Sequence, residues 1–208
     1  MGKRILMISQ NFYPEIGSAG NRMKNIYTLL KKNGYDVNVL TTDPTYPNNK
    51  IYEDEEFWDD EFLNKHADDL YRVKLRNRKY SRSIMNRLLF YLEIAVKMVI
   101  YVLFNRNKYD VVIATSPAIF IAMVGLLAKY RFKSKLVLEI RDLWPESLKG
   151  VGVFSHPLVI STFSMIETLL YKKADKIVVN SEGFVDYISK KAHIPTANIA
   201  FLPNGARE

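Results

Sequence analysis

The densest run of chemically capable side chains is E-I-R-D-L-W-P-E at 139–146. Arg141, Asp142, Trp144 and Glu146 place a guanidinium, two carboxylates and an indole within six residues. Such a set suits a polar ligand whose apolar face stacks on the indole while its charges or hydroxyls pair with the rest. It equally describes a structural Arg–Asp pair beside a buried Trp, and the residues alone leave both readings open. The second candidate is Gly17–Ser18–Ala19–Gly20, small residues at a helix start, where free amides and the positive helix end favour an anion. Its spacing is neither G-x-G-x-x-G nor a P-loop, so a simple tight turn is the competing reading. Thr115–Ser116–Pro117 and Asn180–Ser181–Glu182 each read first as a helix cap and second as ligand contacts.

Other chemistries drop out. With no Cys there are no disulfides, thiolate metal sites or thiol nucleophiles, and the three His, at 66, 156 and 193, stand far apart, so no metal or other cofactor is expected. The N-terminus, MGKRILMIS, has too short an apolar run for a signal peptide, and a cytoplasmic location is the expectation.

These residues need elements to position them, and the pattern alternates strand and helix throughout. Strands are expected at 4–9, 36–42, 70–75, 110–115, 135–140, 176–180 and 198–202. Helices are expected at about 17–33, 82–106, 117–130, 157–173 and 182–191, with Gly34 as a left-handed stop. The third strand is the most polar and is expected at an outer position. The acidic stretch after strand two reads as a long surface loop with one short helix. Alternation of this kind implies right-handed crossovers and an α/β, doubly wound, mainly parallel sheet of about seven strands. In such sheets ligands bind at the carboxyl ends of the strands, where all four candidate segments fall.

The net charge of +8 is regional: residues 51–70 carry one basic and nine acidic side chains, and 71–109 carry ten basic and one acidic. No basic groove interleaved with aromatics supports nucleic acid as the partner. In the expected helix 82–106, Arg82, Asn86, Glu93 and Lys97 occupy one narrow stripe and nearly all the remaining circumference is apolar, more than a sheet face can cover. Spanning a bilayer would bring Glu93 and Lys97 near its midplane at roughly 2.5–3.5 kcal/mol each. An anionic membrane surface is therefore the expected partner of this helix, with burial in a core or an oligomer interface as the alternative.

Taken together, the F-Y-P-E-I-G-S-A-G-N-R loop, V-I-A-T-S-P, R-D-L-W-P-E-S, A-D-K-I-V-V-N-S-E and the final L-P-N-G resemble the N-terminal domain of glycosyltransferase family 4. The branch most alike adds amino-deoxy sugars in bacterial surface polysaccharide synthesis. The resemblance covers nearly the whole chain and implies a Rossmann-like domain, one half of a two-domain GT-B enzyme that retains the anomeric configuration of a nucleotide-sugar. It implies a domain at 1–203, an interdomain linker starting at 204–208, and a separate C-terminal donor domain. It places Gly17, Ser18, Ala19 and Gly20 near the donor phosphates. It also implies a lipid-linked or saccharide acceptor at Ser116, Trp144, Glu146 and Ser181, and work at the inner face of the plasma membrane. Many relatives carry His-Asp where this chain has Arg141–Asp142, so Asp142, with Arg141, is the catalytic candidate. A regulatory nucleotide- or sugar-binding module without turnover is the alternative.

Overall fold

The computed structural model describes residues 2–76, 84–116, 119–143 and 157–204. Seven strands form one sheet: β1 Arg4–Ile8, β2 Asp36–Thr42, β3 Leu70–Val73, β4 Val111–Thr115, β5 Lys135–Ile140, β6 Lys176–Val179 and β7 Ile199–Phe201. Their order is β3-β2-β1-β4-β5-β6-β7, and every pairing is parallel. The chain has a Rossmann-like α/β fold, with β3 at the outer edge as its polarity predicts. Register follows side-chain alternation: Ile5 stands beside Val37 and Val111, so apolar residues of neighbouring strands share a face.

The helices are α1 Ser18–Lys32, α2 Glu61–Lys65, α3 Ile84–Phe104, α4 Ile119–Phe132, α5 Pro157–Lys173 and α6 Gly183–Ala192. One sheet face, carrying Ile5, Met7, Val37 and Val39, packs on Met23 and Tyr27 of α1 and Leu63 of α2. On the other face, Leu6, Ile8, Val112, Ala114 and Leu138 join Ile94, Met98 and Val102 of α3 and the apolar sides of α4, α5 and α6. A Cβ at Gly125 would lie 2.3 Å from Ala114 Cβ, so glycine lets α4 come close to β4. Gly34 ends α1 at φ +82°, as expected.

The acidic stretch holds the one short helix expected and more local structure besides. It folds into α2 and short 3₁₀ turns at Asn49–Glu53, Glu55–Trp58 and Ala67–Asp69. Its carboxylates meet cations of α1, through Lys24–Asp60 and Lys31–Asp69 (2.7 Å), while Tyr27 Oη donates to Asp69 at 2.7 Å. Tyr52 and Leu63 are buried beneath. Two of the nine carboxylates of 51–70 are thus paired with α1, contacts that a reading of one segment cannot foresee.

Helix α3 carries more apolar surface than the sheet covers. Ile94, Met98 and Val102 are buried, whereas Leu89, Leu92, Val96, Ile100 and Leu103 recur at helical spacing on an exposed side, with Phe104 79% exposed at the end. Two charges of its stripe are spent locally, while Arg82 lies outside the described residues: Glu93 accepts from Arg76 N–H (3.0 Å) and pairs with Lys97 (3.0 Å), and Lys97 Nζ donates to Lys74 O. Among the described residues no helix is long and apolar enough to cross a membrane.

Candidate functional site

Strand order reverses direction between β1 and β4, since β2 lies to one side of β1 and β4 to the other. At this switch point, beyond the strand ends, the structure holds a cavity of about 180 Å³. Ser9, Gln10 and Asn11 after β1, Thr115 and Ser116 at the end of β4, and Arg141 after β5 supply polar groups. Ala19 and Met23 of α1, Glu15, Thr45, Tyr46, Ile121, and Phe90 and Tyr91 of α3 complete it.

The walls are held by hydrogen bonds. Thr115 Oγ1 donates to Ser9 Oγ (3.2 Å), Ser9 Oγ to Asn11 O (2.8 Å), and the Thr41 and Thr42 hydroxyls to Gln10 O at 3.1 and 3.0 Å. Ser116 N–H donates to Glu139 O at 2.8 Å, which fixes the end of β4 against β5. Glu15 is buried and accepts from Tyr46 N–H at 3.0 Å. Burial raises its carboxyl above the usual range, against opposing hydrogen bonds from Tyr46 and Thr45. Ile16 N–H donates to Tyr52 Oη (2.9 Å), which in turn donates to Tyr46 O, so the loops after β1 and β2 are one connected wall. Tyr46 remains 51% exposed at the rim.

Of the glycine loop, Ala19 lines the cavity. Gly17 stands at the start of α1 with φ +145° and nothing within 4 Å of a Cβ built there, so its glycine is a backbone requirement. Gly20 has another reason: a Cβ there would lie 2.7 Å from Glu15 O. Its small size lets the loop fold back on the helix, a packing demand independent of any anion.

Arg141 Nη2 donates to Ser18 Oγ at 3.0 Å, joining two sequence candidates and bringing a cation to the amino end of α1. The Arg141–Asp142 pair foreseen as a structural alternative gives way to this contact. A guanidinium and the first amides of a helix, which lack intrahelical partners, form a combination able to hold a diphosphate or carboxylate. Asp142 is exposed and, with Ser116, Glu167 and Tyr171, lines a neighbouring space of about 10 Å³. Ser181 lines neither cavity. Nor does its side chain cap α6: Glu182 precedes that helix without a side-chain cap bond, and Phe184 N–H donates to Ser181 O at 3.2 Å. Trp144 and Glu146 lie outside the described residues.

Sequence reasoning assigned no role to Gln10, Asn11, Glu15 or Tyr46, although Glu15 falls within the quoted F-Y-P-E-I-G-S-A-G-N-R loop; they meet only through the fold. It also missed Arg22, whose Nε is paired with Glu139 across 117 positions of sequence. Glu139 Oε2, Arg141 Nε and Asn180 Oδ1 are buried with no hydrogen-bond partner among the described residues, all three near the carboxyl ends of β5 and β6. Also among the described residues, no group of three or more His, Cys, Asp or Glu could hold a metal ion.

The chain is 25% identical over 206 residues to WcaI of Escherichia coli (strain K12), whose name assigns it to glycosyl transfer in colanic acid biosynthesis. The match takes in 97% of this chain and 50% of that protein, so the chain spans about half the length of this relative. Sucrose-phosphate synthase from Thermosynechococcus elongatus shares the fold with a TM-score of 0.65 at 16% identity, over 97% of this chain and 48% of that one. HepE from Anabaena, solved with UDP-glucose, does so with a TM-score of 0.56 at 14% identity, over 98% and 44% respectively. The pattern shared by glycosyl transferase 4-like domains matches residues 17–205, and the chain belongs to that family.

Proposed function

We propose that this domain is the acceptor-side half of a retaining glycosyltransferase that moves a hexosyl-type sugar from a nucleotide-sugar to a lipid-linked or polysaccharide acceptor in bacterial surface polysaccharide synthesis. The observation that carries the reading is the switch-point cavity, where hydroxyl and amide groups from three strand ends meet an exposed tyrosine and a guanidinium at a helix start. Polar edges with an aromatic wall suit saccharides, which offer hydroxyls around apolar C–H faces. WcaI supports the polysaccharide setting and the UDP-glucose complex of HepE supports a nucleotide-sugar donor.

In this reading the amino end of α1, with Gly17, Ser18, Ala19 and Gly20, and Arg141 face the donor diphosphate, and Asp142 faces the transferred sugar. Ser116 belongs to the acceptor side, and the reading assigns Trp144, Glu146 and Ser181 to it as well. Catalysis then rests on positioning and on stabilising the departing diphosphate, with no protein nucleophile, metal or other cofactor. A second domain completes the cleft, because one wall makes only part of the contacts a nucleotide-sugar needs. The inner side of α3 contributes Phe90 and Tyr91 to the cavity while its outer side is apolar. That arrangement suits a cytoplasmic enzyme lying on the inner face of the plasma membrane.

Calorimetry and a transfer assay on residues 1–208 test the reading. The expected result is no sugar transfer and UDP-sugar affinity weaker than micromolar. Turnover by this chain alone, or micromolar donor binding, would overturn the half-enzyme assignment.

A further inference from the structure

We propose that Arg22 is a positioning residue that locks the segment after β7 to the helix carrying the glycine loop, so that loop and segment move as one body. Arg22 lies on α1 one turn after Ser18, and is 9% exposed. Its guanidinium meets four acceptors from two distant parts of the chain. Nε pairs with Glu139 Oε1 in β5; Nη2 donates to Leu202 O at 2.9 Å, and Nη1 to Pro203 O at 2.8 Å and Asn204 Oδ1 at 3.4 Å. Glu139 is 2% exposed, so the pair is desolvated and each partner requires the other.

The geometry uses what is particular to arginine. One planar fork serves a carboxylate on one side and two successive carbonyls on the other, which the point charge of lysine cannot do from one position. Strand β5 and the residue that follows it touch α1 twice, through Glu139 to Arg22 and through Arg141 to Ser18. The two contacts are one helical turn apart on α1 and run in opposite donor directions, which defines both the height and the rotation of the helix on the sheet. Residues 202–204 are thereby referred to the same helix start that faces the donor phosphates. That functional weight rests on the sugar-transfer reading, but the lock itself does not, since its contacts require no ligand.

The lock is tested by the spread of distances between α1 and the end of the described chain. The sequence has no cysteine, so spin labels at Leu29→Cys and Asn204→Cys report one distance by pulsed electron paramagnetic resonance. Placing a label at 204 removes only the longest of the four contacts. One narrow distribution is expected in the otherwise unchanged chain and in Glu139→Gln, whose amide oxygen still accepts from Nε. Arg22→Lys is expected to widen it at least twofold. Arg22→Met/Glu139→Met, which removes the pair without leaving a buried charge, is expected to do the same with the melting temperature retained.

A narrow distribution in both Arg22 variants overturns the proposal and leaves β7 and the Leu202 N–H to Val179 O bond (2.8 Å) as the sole restraint. A broad distribution in the unchanged chain, or failure of both Arg22 variants to fold, overturns it too, the latter by assigning the pair to core stability. Failure of UDP-sugar binding would count against the site reading and leave this measurement intact.

Discussion

If α3 rests on anionic lipid, charges placed on its outer stripe should release the domain from vesicles without unfolding it. The stripe consists of Leu89 (41% exposed), Leu92 (50%), Val96 (48%), Ile100 (50%) and Leu103 (46%), so about half of each side chain is available to a membrane. Full burial of such a side chain yields about 1.5–3 kcal/mol, hence roughly 1 kcal/mol for each of these. Exposed Lys74, Arg76, Arg106 and Lys108 flank the helix, and each adds about 1 kcal/mol near anionic headgroups. Leu92→Glu/Ile100→Glu removes about 2 kcal/mol of apolar transfer and adds two repulsive charges, a total loss of about 4 kcal/mol or roughly a thousandfold in partition. The assay is flotation with vesicles of neutral lipid alone and with a third anionic lipid, at low and at physiological salt. Unchanged protein should float with the anionic vesicles and less so as salt rises. The double variant should stay at the bottom with its thermal transition within a few degrees, since neither residue is buried. Failure of the folded, unchanged chain to float at low salt would refute the reasoning and assign the stripe to another protein surface.

The remaining predictions concern the site and its supports. In an active enzyme carrying this domain, Asp142→Asn should lower turnover about a hundredfold with stability changed by less than roughly 0.5 kcal/mol, because the carboxylate is exposed; a fall in melting temperature matched by proportionate loss of activity would mark it as structural. Gly20→Ala should destabilise by about 1–3 kcal/mol in urea titration without any ligand present, because the added methyl meets Glu15 O; an unchanged midpoint would show that the loop yields freely. Asp175 is subject to burial, which raises its pKa, yet hydrogen bonds from Lys129 (2.6 Å), Leu136 N–H (2.8 Å) and Lys135 (3.0 Å) outweigh it and hold the carboxyl at about 2. Its folded value lies below the unfolded one, so the stabilisation is complete above about pH 4 and disappears as pH falls through about 2. After allowance for solvent screening it amounts to about 1 kcal/mol, and acid titration of stability in Asp175→Asn should show that increment missing.

Periodicity determined most of the architecture, because alternation and helical spacing are local properties that the folded chain must respect. Runs such as RILMI, VVIAT and KLVLEI are readable as buried strands, and Gly34 as a helix stop, from a few neighbouring residues. The position of the candidate site followed from topology, since every strand points the same way and all the loops after strand ends gather on one edge. Other features depended on contacts between residues far apart in sequence. Gly20 is glycine because of Glu15 O, the acidic stretch is tied to Lys24 and Lys31 of α1, and Arg141 turns to Ser18 instead of Asp142. Arg22 and Glu139 each look like an ordinary charged residue in sequence, and only burial makes them a pair. Local propensity acts over a few residues, whereas desolvation and the pairing it compels are set by whatever the fold brings within hydrogen-bond distance.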